Sequence, residues 1–463
     1  MKKRTDRSGK SARAGRAVPF RLKIEELSES GHGLGFYKKR TIRVPKTLPG
    51  EEVEVVYRSE NPPRARIELK RILHPSPHRQ NPPCRYFEDC GGCHLQHLAY
   101  PEQLRFKRQI VQRHFLEHPG LRPVTIHPVE GMPNPFYYRN KCQMPFRFQE
   151  GQVVYGLYQA GTHQLVALDE CLVENRDANQ ALRVVRDWMR RFRILPYDER
   201  SGEGVVRHLL VRKGMFTNQV MVVLVVAREE VPHWQELLRD LKAGVPSLRS
   251  FQFNINTGQT NRILGERTLP VWGEACIEEQ LGTLKFRIYL DTFFQINSVQ
   301  TVKILERLQS RLQAPPEAHL LDLYAGVGIL SLSLARQVAA VTGVELVPAA
   351  VQAARQNALD NGITNARFIC GDAAQVAGEL LAENRPADIC LLNPPRKGVE
   401  PAVLEAIGKM RPEQIAYLSC HPRSLARDLS QLVEMGYRCE DVFLYDMFPQ
   451  TYHVESLAFL RRQ

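Results

Sequence analysis

Long hydrophobic runs are missing from this sequence. The longest, residues 220–227, falls far short of the ~20 apolar residues that a membrane-spanning helix needs. An apolar leader is missing too: Met1-Lys2-Lys3-Arg4 is followed by polar residues, so no secretory signal is expected. There is no internal repeat, which argues against solenoids and arrays. Nor is the composition extreme. With 43% hydrophobic and 24% charged residues, a disordered, collagen-like or coiled-coil chain is excluded. What remains is a soluble, cytoplasmic protein of 463 residues, long enough for two to four domains that each bury a core. No membrane contact and no obligate protein partner is expected.

Positive charge is what the chain has in excess, +13 overall. Residues 1–74 hold 19 Lys/Arg against 9 Asp/Glu, a net +10, and the remainder nearly cancels. Such a footprint suits a polyanion, because neutralised phosphates release counterions.

The texture along the chain predicts a multidomain α/β protein. Residues 1–17 read as a disordered basic tail. Residues 18–75 alternate short apolar strands with Gly and Pro turns, the pattern of a small β-barrel. Residues 76–285 read as a central α+β domain, with a helix near 102–115 that is a candidate to pack on the catalytic domain. Strands are expected over 137–141, 153–158 and 208–226, with a helix over 179–192. From 286 to 463 buried strands alternate with helices, the pattern of an open, Rossmann-like parallel sheet.

Ten cysteines in a cytosolic chain are not expected to form disulfides. Three lie close together in Cys84-x5-Cys90-Gly91-Gly92-Cys93, where the two glycines let the backbone wrap closely without Cβ clashes. A zinc site usually shows two paired knuckles. Here the second pair is missing, and a fourth ligand must come from far away. That pattern suits a [4Fe-4S] cluster held by four thiolates. Position alone leaves Cys142 and Cys171 both open as the fourth.

Residues 320–331, Leu-Leu-Asp-Leu-Tyr-Ala-Gly-Val-Gly-Ile-Leu-Ser, read as a buried strand, a turn and a helix start. Tyr324, Gly326 and Gly328 form the turn of a cofactor site. The next strand ends at Glu345, whose carboxylate can accept both ribose hydroxyls. The third ends in Asp372, placed to accept from an adenine amino group. The fourth ends in Asn393-Pro394-Pro395-Arg396. The third glycine of the pyrophosphate fingerprint is missing, which favours S-adenosylmethionine over a dinucleotide.

Cys420 follows a buried strand at the sheet edge where ligands bind, with a helix start and Arg423 and Arg427 nearby to favour thiolate. Glu455 sits beside a later strand. A cysteine, a carboxylate and a sulfonium cofactor together fit methylation of uracil C5. Thiolate addition to C6 makes C5 nucleophilic, and a base then removes the C5 proton.

These residues resemble the RNA uracil-5-methyltransferase family, over roughly residue 18 to the C-terminus. The likeness is carried by Cys84-x5-Cys90-Gly-Gly-Cys93 with His94-Leu95-Gln96-His97, by Tyr138-Arg139-Asn140-Lys141, by Glu170-Cys171 and by Phe293-Phe294-Gln295-Ile296-Asn297. Further matches are Ser419-Cys420-His421-Pro422 with Leu425-Ala426-Arg427-Asp428, and Phe448-Pro449-x-Thr451-x-His453-Val454-Glu455. The branch it is most similar to acts on 23S ribosomal RNA and carries an OB-like TRAM barrel and an iron–sulfur cluster. The transfer-RNA branch generally lacks both. The resemblance implies a class I methyltransferase forming 5-methyluridine in 23S rRNA. It also implies Cys420 as nucleophile, Glu455 as general base and Cys171 as the fourth cluster ligand with Cys84, Cys90 and Cys93. Gln295 joins Tyr324, Gly326, Gly328, Glu345, Asp372 and Asn393 at the cofactor, and Arg139 and Lys141 bind RNA. Two positions depart from the family: Asn393 replaces an aspartate, and His421 replaces an asparagine. Asn-Pro-Pro is also similar to the motif of amino-group N-methyltransferases, which would leave Cys420 and Glu455 without a role. Two further readings stay open, a transfer-RNA substrate and a non-catalytic RNA-binding assembly factor.

Overall fold

The computed structural model describes residues 18–57, 67–259, 262–383 and 387–463. The basic tail expected over 1–17 lies outside them. The chain divides into two compact units, residues 1–81 with 97–99, and residues 82–96 with 100–463.

In the first unit, alternating apolar and polar residues build two three-stranded antiparallel sheets. Phe20–Lys23, Glu52–Tyr57 and Ile67–His74 make one; Glu26–Leu27, Gly33–Tyr37 and Arg40–Val44 make the other. Leu22, Ile24, Ile42, Val44, Val53 and Val55 form the core. The unit runs past the boundary expected at 75. Glu51 is fully buried and accepts from the Arg79 guanidinium at 2.5 and 3.0 Å and from the Leu48 amide at 2.8 Å. That carboxylate cannot be left bare, so the Pro-rich stretch that carries Arg79 is tied back onto the sheets.

The second unit holds two large sheets. The first has the strand order Leu165–Ala167, Gln152–Tyr158, Lys141–Gln149, Val206–Gly214, Gln219–Val226, Leu248–Ile255, Arg267–Gly273. Neighbours are antiparallel except Gln219–Val226 and Leu248–Ile255, which run parallel across the helix Trp234–Gly244. Gln219–Val226 is covered on both faces, so it reads as one apolar run instead of alternating. The expected strand over 137–141 is mostly irregular. Tyr137 has φ 55°, a left-handed conformation that no strand tolerates, and the strand begins only at Lys141.

In the second sheet five strands run parallel, in the order Ala366–Cys370, Ala340–Glu345, His319–Leu323, Ile389–Leu392, Gln414–Ser419. Glu455–Arg462 and Tyr437–Tyr445 continue it antiparallel, and Thr125–Glu130 closes the edge parallel to Tyr437–Tyr445. Chain order reverses at His319–Leu323, so a crevice opens at the carboxyl ends of the strands, where such sheets bind ligands. Residues before 286 also join this sheet and its core: Thr125–Glu130 belongs to the sheet, helix Tyr100–Leu116 packs on helix Pro422–Glu434, and the hairpin Ile277–Leu281/Leu284–Ile288 buries its apolar face in the same core. Among the described residues no helix is long and apolar enough to cross a membrane.

Candidate active site and cysteine pocket

A cavity of about 640 Å³ lies at this crevice. Its floor is the turn after His319–Leu323. Tyr324 has φ 82° and Gly326 φ 56°, so the backbone doubles back over the strand end; for tyrosine this is genuine strain, of the kind that clusters at ligand sites. Glu345 pins the turn: its Oε2 accepts from the Gly326 amide at 3.0 Å and its Oε1 from the Val347 amide at 2.9 Å. Asp372 caps the helix Ala373–Ala382, its Oδ1 accepting from the Ala374 and Gln375 amides. Gln295, Tyr324, Gly326, Glu345, Asp372, Asn393, Cys420 and Glu455 all line the cavity. Gly328 does not. It shapes the turn from behind at φ 83°, where a Cβ would fall 3.0 Å from the Phe368 ring. At the rim stand Phe293, 67% exposed, and Leu346, 66% exposed. Beneath the turn, burial pushes the Asp322 carboxyl up to about 7.

Strand register brings the two residues expected to react to one end of a strand pair. Gln414–Ser419 pairs antiparallel with Glu455–Arg462, Ser419 opposite Ser456. Cys420 follows Ser419 and Glu455 precedes Ser456, and the Glu455 charge acts on the Cys420 thiol. Glu455 is 3% exposed, and burial pushes its carboxyl up to about 8, against the pull of the Arg396 guanidinium. Burial, then the Glu455 charge, pushes the Cys420 thiol up, and Arg396 again opposes. Arg396 therefore favours the ionised form of both groups, a role that the sequence reading does not assign to it. The signal is nonetheless there: a cation directly after Asn393-Pro394-Pro395, on the next strand's loop.

His421 is the N-cap of helix Pro422–Glu434. Its Nδ1 accepts from the Ser424 amide at 3.3 Å, the bond an asparagine side chain makes at the same position. The departure from the family thus keeps the cap. Asp428, fully buried, accepts from the Val399 amide at 2.8 Å and the Tyr417 hydroxyl at 2.7 Å, fixing the loop that carries Arg396.

A second, smaller pocket is lined by Cys84, Cys90, Cys93 and Cys171 together. Cys142 is not among its lining residues and is fully buried in the strand Lys141–Gln149. Gly91 lies flat against the end of Gln152–Tyr158: its amide donates to Tyr158 O at 3.1 Å, and a Cβ would fall 2.8 Å from that oxygen. Among the described residues no three His, Cys, Asp or Glu side chains are grouped to hold one metal ion.

The Tyr138–Lys141 motif divides its labour. Arg139 is paired with Glu174 at 2.8 Å. Lys141 lies opposite Arg212, and burial with the charges of Arg212 and Arg139 pulls its ammonium down to about 8. The uncharged members bond to segments that also supply cavity residues: Asn140 Nδ2 donates to Gln295 O at 2.7 Å, and Tyr138 donates to Pro449 O, next to Phe448, at 3.1 Å.

A family model described as tRNA (uracil-5-)-methyltransferase matches residues 99–463. An uncharacterized RNA methyltransferase of Clostridium tetani is 37% identical over 95% of this chain and 96% of its own length. One of Halalkalibacterium halodurans is also 37% identical, over 95% and 96%. Among solved structures, the Pyrococcus abyssi tRNA (uracil-54, C5)-methyltransferase, in complex with S-adenosyl-L-homocysteine, superposes with a TM-score of 0.75 at 27% identity, covering 95% of this chain and all of that one.

Proposed function

The chain belongs to the tRNA (uracil-5-)-methyltransferase family of RNA methyltransferases, and from that premise we propose that it forms 5-methyluridine by covalent catalysis with Cys420 and Glu455. The observation that carries this is that both line the cavity that Gln295, Glu345 and Asp372 also line, close enough for the Glu455 charge to act on the Cys420 thiol. The Cys420 thiolate adds to uracil C6, and the electron pair of the C5=C6 bond moves toward C5. Bound S-adenosylmethionine would supply the electrophilic methyl: C5 takes it, and the S–CH3 electron pair stays on the S-adenosylhomocysteine that leaves. Glu455 then takes the C5 proton, the C5–H pair re-forms the double bond, and the C6–S pair returns to sulfur. The base must leave its stack to reach this depth. Tyr324, Gly326, Glu345, Asp372, Gln295 and Asn393 are proposed to hold the methyl donor, with Gly328 shaping the turn.

Four thiols on one pocket support a [4Fe-4S] cluster held by Cys84, Cys90, Cys93 and Cys171. Their charges act on one another, Cys84 and Cys90 on Cys93 and Cys93 on Cys171, as neighbouring thiols do. The cluster would tie the loop 84–93 to Cys171. Iron content after anaerobic purification tests this: Cys171→Ser is expected to lose it and Cys142→Ser to keep it.

We propose 23S rRNA as the substrate, with Lys141, Arg139 and the basic first unit engaging the backbone. Transfer RNA is the second reading, favoured by the Pyrococcus abyssi neighbour. That protein aligns with 95% of this chain, so domain content does not separate the two substrates. Nucleoside mass spectrometry of separated rRNA and tRNA from a deletion strain decides: loss of 5-methyluridine from one fraction names the substrate. A lost N-methylated base, or no loss, rejects the proposal. Cys420→Ala with radiolabelled methyl donor must abolish C5 methylation.

A further inference from the structure

The loop between Tyr437–Tyr445 and Glu455–Arg462 delivers Glu455 to the cavity, and four consecutive carbonyls in it are held from outside. Asn297 Nδ2 donates to Met447 O at 3.4 Å, Lys107 Nζ to Phe448 O at 3.1 Å, and the Tyr138 hydroxyl to Pro449 O at 3.1 Å. The amides of His94 and Leu95, immediately after Cys93, both donate to Gln450 O, at 2.8 and 3.0 Å. Gln103 Nε2 bridges the same two segments, donating to Leu95 O at 2.9 Å and Gln450 Oε1 at 3.1 Å. Gln450 is 1% exposed with φ 68°, a conformation that costs a non-glycine residue free energy and persists only where its surroundings impose it.

We infer that the cysteine loop is a positioning element for the general base: the segment after Cys93, with Gln103 and Tyr138, fixes Pro449 and Gln450 and so sets the place of Glu455. This rests on the reading that Glu455 removes the C5 proton. Cys420 and Arg396 hang on other loops, so loosening this one should spare adduct formation and slow adduct release. The cysteine loop then has a task in the chemistry without touching the substrate.

The experiment follows both half-reactions, with RNA from a deletion strain and radiolabelled S-adenosylmethionine, in Tyr138→Phe and Gln103→Leu. Tyr138→Phe removes one hydroxyl and keeps the ring in the core, so it is safe for folding. Adduct formation within about twofold, release slowed about tenfold or more, and covalent protein–RNA adduct accumulating on denaturing gels are expected. S-adenosylhomocysteine affinity and iron content should not change. A purely structural role would lower both half-reactions together with the melting temperature and trap no adduct; that result, or unchanged release, overturns the inference. Glu455→Gln and Cys420→Ala run alongside. If Glu455→Gln traps no adduct, the base assignment itself fails. If it traps adduct and the two positioning variants do not, only the inference fails.

Discussion

Burial pushes the Glu455 carboxyl up to about 8, and the Cys420 thiol is raised as well. Both must lose a proton to act, so kcat/KM is expected to climb from pH 6 to 9. Arg396 lowers both pKa values. Arg396→Met should therefore move the ascending limb to higher pH, with the deficit greatest near pH 7 and shrinking toward pH 9.5; a limb that stays in place would rule out this electrostatic role. Cys420 and Glu455 are legible in the sequence because each sits in an ordered motif beside a strand. The task of Arg396 is not, since its two partners come from two other strands and only the register brings the three together. Cys142 and Cys171 cannot be separated by position. One is sealed inside a strand and the other lines the thiol pocket, a difference that sequence spacing does not encode.

At the scale of elements, helix Tyr100–Leu116 reaches the loop before Glu455 through a fully buried ion pair between Lys107 and Asp446, with the Tyr100 hydroxyl donating to Asp446 at 2.7 Å. Lys107→Met leaves the Asp446 charge buried and unpaired, and a loss of ~3–5 kcal/mol in denaturant unfolding is expected. Lys107→Met with Asp446→Leu should recover part of it; a double variant no better than the single would mean the pair is not the cause. Gly91→Ala drives a Cβ into Tyr158 O and is expected to lower iron content while leaving S-adenosylhomocysteine affinity unchanged. The parallel strands 389–392 and 414–419 are legible because buried strands of parallel sheets are short apolar runs. Thr125–Glu130 is visible as part of a strand-rich region but not as a member of this sheet, because alternation predicts a strand and never names its partner.

For the whole molecule, the net +10 of residues 1–74 should govern affinity more than turnover. Deleting residues 1–17, which carry seven Lys/Arg, is expected to flatten the dependence of RNA binding on salt while sparing kcat at saturating RNA. An unchanged slope would assign RNA attraction elsewhere. The closing edge strand has a consequence for synthesis. Thr125–Glu130 leaves the ribosome well before its neighbour Tyr437–Tyr445. Until that neighbour emerges the earlier strand has an unpaired edge, and the sheet that carries the cavity cannot close. Chemistry therefore waits on a pairing between segments far apart in the chain, the slow kind of contact to form.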